Sequence, residues 1–267
     1  MLIIGELINS SRTVIKEAVQ KKDCALIQEI AHKQVEAGAD YIDANCGTQV
    51  HNEPEVMTWL VKTILDKVSA PVCIDSPNPQ ALQAGLASIN NSCQPMINSI
   101  SAETKRFSEV IPLVVEYQAK VIALCMDDKG MPKTTADRLR VADKLVNDLV
   151  AAGVKEDDIY LDPLVQPISV DSQAAVMVLE TLSKLKEQYP RVHKTCGLSN
   201  VSFGLPARKI INQAFMLQTM TMGMDSYILD PLDKKMMGFI YASQALLGKD
   251  DFCMQYITAH RKGLYKD

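Results

Sequence analysis

Polar side chains stand at the carboxyl ends of most short apolar segments of the sequence, which is where a parallel sheet would gather them. They are Glu6 and Asn9, Asp43 and Asn45, Asp75 and Ser76, Asn98 and Ser99, Asp127 and Asp128, Asp162, the group Ser199, Asn200 and Ser202, and Asp230. A carboxylate accepts hydrogen bonds from an amine and an adjacent ring N–H in a fork, and a carboxamide both donates and accepts. The set predicts a site for a neutral, planar ligand with such an edge, which a pterin and a guanine both present.

Each of these residues also has a purely local explanation. An Asp before Pro or Ser at the end of a strand commonly caps the next helix or makes a turn. A ring of carboxylates and carboxamides at one mouth must nevertheless be hydrogen-bonded by something. As a group, the residues therefore favour a binding site over a set of unrelated turns.

The residue types missing from these positions argue against several enzyme chemistries. No Lys lies near the end of an apolar segment, since Lys194 begins one, and this disfavours a Schiff-base aldolase or a generic lyase of that kind. The four His residues are scattered, which disfavours a His-ligated metal centre. The seven Cys residues form no Cys-x-x-Cys pair, so the sequence predicts no metal bound by this chain.

Eight short apolar segments alternate with amphipathic stretches along the chain. The apolar segments are Leu2–Ile8, Tyr41–Gly47, Pro71–Ser76, Pro95–Ser101, Val121–Met126, Ile159–Val165, Lys194–Val201 and Asp225–Leu232. Six of the predicted helices are Cys24–Ala39, Glu53–Val68, Ala136–Ala152 with a capping box from Thr134 to Asp137, Asp171–Gln188, Ala207–Met222 and Asp233–Leu247. The alternation predicts an α/β fold, a single (β/α)8 TIM barrel. The alternative is an open doubly wound sheet, which the lack of Gly-x-Gly-x-x-Gly after the first strand disfavours.

Composition limits the class of protein. The 267 residues suit one barrel, no Pro/Gly/Ser-rich linker divides them, and we expect a single domain over 1–267 with residues 250–267 as a last helix packed on the barrel or on a partner subunit. A net charge of −4 without a basic stripe argues against nucleic-acid binding. No apolar stretch approaches ~18 residues, so no membrane span is expected. The N-terminus is typical of a strand, and the odd number of cysteines indicates free thiols. Together these two features predict a cytoplasmic protein.

Six segments of the sequence together resemble one enzyme family. They are Gly5-Glu6-Leu7-Ile8-Asn9, Asp43-Ala44-Asn45, Cys73-Ile74-Asp75-Ser76, Met96-Ile97-Asn98-Ser99, Leu161-Asp162-Pro163-Leu164 and Gly197-Leu198-Ser199-Asn200-Val201-Ser202. In order and spacing, and over nearly the whole chain, they resemble the methyltetrahydrofolate:corrinoid protein methyltransferases, which have a pterin-binding TIM barrel. The pattern also resembles the folate domain of cobalamin-dependent methionine synthase and, more distantly, dihydropteroate synthase.

The resemblance implies roles for particular residues. Asp75, Asn98 and Asp162 resemble the family's pterin-binding trio, and Asn200 resembles its asparagine near N5 of the folate. Arg208 occupies the position of an arginine beside the ligand. The ring at the strand ends adds Glu6, Asp43 and Ser199 as substrate-binding residues.

The resemblance also implies a reaction, in which a methyl group moves between N5 of tetrahydrofolate and the cobalt of a corrinoid, in either direction. We expect Asn200 and Asp162 to be the catalytic residues: Asn200 donates a hydrogen bond to N5, water and either Asp162 or a neighbouring acid complete a network, and the proton comes from solvent. The alternative for Asn200 is a helix N-cap. The loop Phe203-Gly204-Leu205-Pro206 is less polar than in other members, so Phe203 packs against the ligand or the corrinoid instead.

The expected partners follow from the same resemblance. The chain has no Asp-x-His-x-x-Gly pattern, the signature of a loop whose His binds the corrinoid from below, so the corrinoid is expected on a partner protein that docks over the barrel mouth. A homodimer is also expected, with the run Met236–Ile240 serving either an interface or the core. Dihydropteroate synthase activity is the main rival, although the last strand lacks an Arg-x-His phosphate site, and a non-catalytic folate-binding module is another.

Overall fold

The computed structural model describes residues 1–90 and 93–265. Its eight strands are β1 Leu2–Gly5, β2 Tyr41–Asn45, β3 Val72–Asp75, β4 Met96–Ala102, β5 Lys120–Asp127, β6 Ile159–Asp162, β7 His193–Lys194 and β8 Ser226–Leu229. The helices of the described residues are α1 Thr13–Lys21, α2 Cys24–Glu36, α3 Glu53–Leu65, α4 Pro79–Ala87, α5 Thr104–Glu116, α6 Thr135–Ala151, α7 Ala174–Gln188, α8 Arg208–Thr221, α9 Lys234–Leu246 and α10 Met254–Arg261. The predicted TIM barrel is thereby confirmed.

All strands are parallel, and they follow one another around the barrel in chain order. Each strand from β1 to β6 pairs with the next strand in the chain, and β1 also pairs with β8. The last gap closes just beyond β7, where a bridge joins Gly197 to Ile228 and the Ile228 N–H donates to the Cys196 carbonyl at 2.9 Å. The carboxyl ends of the strands therefore form one mouth.

The outer faces of the strands and the inner faces of the helices form the main core. Ile42 and Ile74 of the sheet pack in one cluster with Leu60 of α3, and all three are fully buried. Burial of each such side chain contributes about 2 kcal/mol. Gly85 lets α4 approach β3, because a Cβ there would lie 2.9 Å from Cγ2 of Ile74.

The barrel interior changes from apolar to polar within one step along the strands. The lower part is closed by a cluster of inward-facing side chains, which we call the floor: Ile4, Tyr41, Cys73, Met96, Ile122 and Tyr160. Side chains two residues apart in a strand share a face. The next inward layer therefore consists of Glu6, Asp43, Asp75, Asn98, Leu124 and Asp162. The change of residue type above the floor builds a polar site at the mouth.

The prediction of a seventh strand over Lys194–Val201 is wrong beyond its first residues. Only His193–Lys194 pairs as a strand, and Leu198–Ser202 is a 3₁₀ helix. Leu198 and Val201 are both buried and lie three residues apart, the period of a 3₁₀ helix rather than of a strand. A buried strand and a buried 3₁₀ helix would both require apolar residues here, so the apolar pattern alone did not distinguish the two structures.

Other predicted boundaries are too long by a few residues. The sixth and eighth strands end before Pro163 and Pro231, because proline has no N–H for the sheet. The predicted capping box between Thr134 and Asp137 is present, and α6 begins at Thr135, directly after Thr134. Within the described residues, no helix is long and apolar enough to cross a membrane.

The C-terminal segment packs on the same chain. Tyr265 lies against Gly238 of α9, where a Cβ would come within 3.1 Å of the Tyr265 Cβ, and its ring contacts that of Tyr241. In the run Met236–Ile240, Met236 and Met237 are buried in the core, which confirms the simpler of the two interpretations for these two methionines.

Candidate active site

Inward-facing side chains of β2, β3 and β4 form a hydrogen-bonded polar network above the floor. In the sheet register Asn45 lies beside Asp75, and Asp75 beside Asn98. The Asn45 amide donates to Oδ2 of Asp75 at 2.9 Å, and the Asn98 amide faces Oδ1 of Asp43 at 3.4 Å. Ser10 fixes the other end of Asn45 by donating to its Oδ1 at 3.2 Å. Four residues of the predicted ring are therefore brought together.

The pKa values of Asp43 and Asp75 are both raised within this network. Burial raises the pKa of Asp43 well above its ordinary value, and the neighbouring Asp75 carboxylate raises it further. Burial also raises the pKa of Asp75, although hydrogen bonds from Asn45 and from Asp43 act to lower it. Asp43 therefore keeps its proton more readily than Asp75 does. Of the two, Asp75 is the better acceptor for an amine and ring N–H edge.

Arg106, which lies in the first turn of α5, holds the backbone around this network. Its guanidinium donates to the Ser76 carbonyl at 2.9 Å, to the Ser99 carbonyl at 2.6 Å and to the Pro77 carbonyl at 2.6 Å. Together with Asp75, Asn98 and other neighbours these residues line a cavity of about 390 Å3. Ser76 itself donates to the buried Glu53 at 2.6 Å, so the turn after β3 is fixed from both sides.

Asp162 ends β6 with its carboxyl group buried. Burial raises the pKa of Asp162 to about 7, although a hydrogen bond from the Leu164 N–H to Oδ1, at 2.7 Å, acts to lower it. The second oxygen has no hydrogen bond within the described residues. Asp162 therefore both forms the turn that its local sequence predicts and offers a group that gains and loses a proton near neutral pH.

The segment after β7 is more open than the network on β2 to β4. Asn200 is exposed, and its side-chain amide makes no hydrogen bond to the described part of the chain. It caps no helix, because the N-cap residues here are Gly197 and Ala207. The alternative interpretation of Asn200 as a helix N-cap is thus wrong.

Arg208 holds this open segment from behind through hydrogen bonds to Ser199 and Ser202. Its guanidinium donates to the Ser199 carbonyl at 2.6 Å and to Oγ of Ser202 at 3.0 Å, and it lies 5.9 Å from the centre of the Phe203 ring. The Phe203 side chain is 65% exposed. The turn that carries Asn200 is therefore fixed from behind while its outer side faces solvent.

Glu6 and Ser199 line a second cavity, of about 380 Å3, between the ends of β1, β7 and β8. Glu6 accepts a hydrogen bond from Arg12 at 2.8 Å. Burial raises the pKa of Glu6, Arg12 counteracts this, and Asp230 adds to it. Asp230 also accepts from the Leu232 N–H at 2.9 Å and so makes a turn. This cavity contains acids and bases in similar number and has no marked charge.

Two residues of the predicted ring do not join the site. Asp128 accepts from the Thr104 N–H at 3.0 Å at the start of α5, and Asp127 pairs with Arg140 at 2.9 Å. Both have the local role that an Asp at a strand end commonly has. Lys194 is buried and donates to the carbonyls of Tyr189 and Val192, before β7 and away from the mouth.

Sequence reasoning missed the arginines that hold the site. Arg106 and Arg138 lie in the first turns of α5 and α6, where the helix dipole disfavours a cation. A residue that breaks a local rule often has a functional reason, so their positions were a usable signal. Among the described residues, no group of three or more His, Cys, Asp or Glu is arranged to hold a metal ion.

A barrel whose mouth carries an Asp–Asn network above an apolar floor suits an enzyme that binds a planar ring with an amine and ring N–H edge. Over residues 5–230 the chain matches the family described as pterin binding enzyme, and it belongs to that family.

Within the family, the chain is 37% identical to the methylcorrinoid:tetrahydrofolate methyltransferase of Eubacterium limosum, over 98% of this chain and 97% of that protein. It is 31% identical to methionine synthase of Mycobacterium tuberculosis over 86% of this chain, and the match spans about a fifth (20%) of that longer protein. The family resemblance predicted from six short segments is confirmed.

The fold is also that of solved pterin enzymes. Dihydropteroate synthase of Xanthomonas albilineans, solved with 4-aminobenzoic acid, superposes with a TM-score of 0.70 at 17% identity over 92% of this chain and 91% of that one. The enzyme of Yersinia pestis superposes with a TM-score of 0.64 at 14% identity, over 94% of this chain and 93% of that chain. At such identities the likeness concerns the fold alone.

Proposed function

We propose that the protein transfers a methyl group between N5 of tetrahydrofolate and the cobalt of a corrinoid that a partner protein carries. One observation supports this most directly: the mouth is divided into an ordered Asp–Asn network on β2 to β4 and an exposed turn that presents Asn200. The ordered network suits tight binding of the pterin ring. The exposed turn suits a reacting atom, N5, that a second protein must reach from solvent. The name of the Eubacterium limosum relative favours transfer from the corrinoid to the folate.

The pterin ring binds at the network. The carboxylate of Asp75 accepts the 2-amino group and the adjacent ring N–H, while Asn98 supplies a donor and an acceptor to the next edge atoms. Asp43 remains protonated and supports Asp75 from behind. Because this acceptor is already hydrogen-bonded in place, binding requires little rearrangement of the protein.

Asn200 and Asp162 act at the reacting end of the ring. N5 of the methylated folate is a tertiary amine and a poor leaving group, so a hydrogen bond that Asn200 donates to N5 stabilises the charge that develops there. When the methyl group moves to the folate instead, N5 must lose a proton after attack. With a pKa of about 7, Asp162 can accept or return a proton through water near neutral pH. Ser199, Glu6 and Arg208 border this end of the site.

The corrinoid arrives on a partner protein, and its cobalt chemistry belongs to the corrinoid itself. Exposed apolar side chains in the loops and helix starts that follow the strands support docking at the mouth, and we call them the apolar rim. They are Val14, Val50, Met131, Val170, Phe203, Ile210 and Leu232. Exposed apolar side chains that form a patch mark an interaction site. Phe203 is the rim residue next to Asn200, so it is placed to contact the corrinoid.

We also propose that residues 1–267 act as one domain and that the protein is a homodimer in the cytoplasm. The free thiols of Cys46, Cys73, Cys125 and Cys196 are the form that a reducing compartment maintains. Leu246 and Phe252 near the C-terminus are 87% and 93% exposed, which supports an interface with a second copy. Light scattering on Phe252→Glu tests the dimer: a monomer is expected, and an unchanged mass would contradict this interface.

An optical assay tests the transfer itself. Co(I) cobalamin is mixed with methyltetrahydrofolate, with and without the protein, and the loss of the Co(I) absorption is followed. The reverse mixture, methylcobalamin with tetrahydrofolate, compares the two directions. Acceleration in either direction supports the proposal. No acceleration with free cobalamin or with any of a set of corrinoid proteins would leave a folate-binding module. In a separate mixture of a dihydropterin pyrophosphate and 4-aminobenzoate, formation of dihydropteroate with release of pyrophosphate would instead indicate a synthase.

A further inference from the structure

Three arginines around the mouth share one arrangement. Arg106, Arg138 and Arg208 each lie in the first turn of the helix that follows a strand of the mouth. Each guanidinium donates to at least one backbone carbonyl of the polar segments around the mouth, unlike Arg12 and Arg140, which contact carboxylates. Arg106 holds the backbone next to Asp75 and Asn98. Arg138 holds the backbone next to Asp162, and Arg208 holds the backbone next to Asn200.

Arg138 is the most unusual of the three, because its side chain is completely buried at the start of a helix. A buried cation without a carboxylate partner is costly unless its donors are satisfied, and a cation at a helix N-terminus is also disfavoured. Its donors reach the carbonyls of Pro163 at 2.8 Å, Thr134 at 3.3 Å and Leu164 at 3.5 Å. If Arg138 serves to hold the turn after β6, its otherwise unfavourable buried position at the start of a helix is explained.

That turn connects Arg138 to Asp162. Leu164 has a φ of +63°, a left-handed conformation that Leu rarely adopts, and its N–H donates to Oδ1 of Asp162 at 2.7 Å. The chain of contacts therefore runs from the guanidinium to the Pro163 and Leu164 carbonyls, and from the Leu164 N–H to the carboxyl group. The ionisable groups facing Asp162 from the neighbouring elements are the thiols of Cys125 and Cys196. Burial raises the pKa of both thiols, so both are neutral near pH 7.

Arg106 has the equivalent position on the other side of the mouth. The carbonyls of Ser76 and Ser99, which it binds, belong to the residues directly after Asp75 and Asn98. Its fork joins the turn after β3 to the part of β4 where the sheet register shifts, between Asn98 and Ile100, and so fixes the spacing between the two side chains that face the ring.

We propose that Arg106 and Arg138 are positioning residues, which set Asp75 and Asn98 on one side and Asp162 on the other by holding the backbone carbonyls that directly follow these residues. The assignment to folate chemistry rests on the proposed function, whereas the effect of Arg138 on Asp162 does not. Lysine at either position keeps the charge but loses the planar fork.

The test measures Asp162 directly in the protein without folate. The chain is labelled with [γ-¹³C]aspartate, the Asp162 signal is assigned by its loss in Asp162→Asn, and its titration is followed by NMR. In Arg138→Met we expect the midpoint to rise by about one pH unit, since the turn no longer holds the Leu164 N–H on the carboxylate. Arg138→Lys is expected to give a smaller rise, and it supplies the test if the Met variant does not fold.

Arg106→Lys and Arg140→Ala are the matched variants. Arg106→Lys should leave the Asp162 midpoint unchanged but weaken folate binding about tenfold, because its contacts lie on the other side of the mouth. Arg140→Ala, on the outer face of the same helix as Arg138, should change neither quantity. An unchanged midpoint in folded Arg138 variants, or an equal shift in Arg106→Lys, would overturn the proposal. Failure of the unaltered protein to bind folate would refute the proposed function and leave the titration result standing.

Discussion

The two halves of the barrel mouth differ in how far their polar groups are already bound. On β2 to β4, Asp43, Asn45, Asp75 and Asn98 are buried or half-buried and joined to one another. After β7, the side chain of Asn200 is exposed and makes no hydrogen bond within the described residues. A preformed network favours recognition, because its ordering cost is met during folding. A free amide keeps its donor available for an atom that becomes charged only during the reaction.

The largest effect that would test this contrast is expected for Asn200→Ala. Loss of the proposed donor to N5 should reduce kcat by about 10²- to 10³-fold while the KM for folate changes little, as for a donor that acts mainly in the transition state. Steady-state kinetics in the optical assay measures both constants. Asn147→Ala, an exposed asparagine on α6, is the control and should leave both unchanged. A parallel loss of binding and turnover would place Asn200 among the binding residues.

Asp75→Ala should show the opposite pattern. It removes the acceptor of the network, so folate binding should weaken by about 1–3 kcal/mol. Calorimetry on the folded variant checks this, with thermal melting to confirm that the barrel is intact. Unaltered affinity would mean that the pterin edge is recognised elsewhere in the mouth.

Asp162→Asn should change the dependence of stability on pH. The pKa of Asp162 is about 7 in the folded chain and ordinarily 3.8, so between these values the folded chain holds a proton that the unfolded chain has lost. The contribution of Asp162 to the free energy of unfolding therefore falls as pH rises from about 4 to 7. At pH 8 the variant should be more stable by on the order of 2 kcal/mol. Urea unfolding at pH 5 and pH 8 measures the difference, and an equal effect at both would contradict the raised pKa.

Phe203→Ala should have the smallest effect, limited to the partner. We expect the KM for the corrinoid protein to rise roughly threefold to tenfold, because Phe203 contributes exposed apolar area next to Asn200. Turnover with free cobalamin should stay near that of the unaltered protein. Equal losses with both substrates would assign Phe203 to the folate side.

The sequence was sufficient for the barrel and for most of the polar ring, for a simple physical reason. Each apolar strand fixes the direction of its side chains, so Asp43, Asp75 and Asp162 could be placed from the residues two before them. The same logic failed after Lys194, where Leu198 and Val201 are buried by a 3₁₀ helix rather than by a strand.

Roles that depend on contacts between distant segments could not be predicted. Asp127 and Asp128 have the same position at the end of a strand as the residues of the network, yet Arg140 and Thr104 bind them outside the site. Arg106 and Arg138 act on carbonyl groups, and every residue has a carbonyl group, so no side-chain pattern shows which ones they bind.

The apolar floor of the barrel has a consequence for the order of events. Ile4, Tyr41, Met96 and Tyr160 fill the interior below the polar layer, so the mouth is the route by which folate enters and leaves the pocket above. In the proposed reaction, a partner protein docked on the apolar rim covers that route. Folate must then bind first and leave last, and an excess of the corrinoid protein over folate should slow turnover by occupying empty barrels.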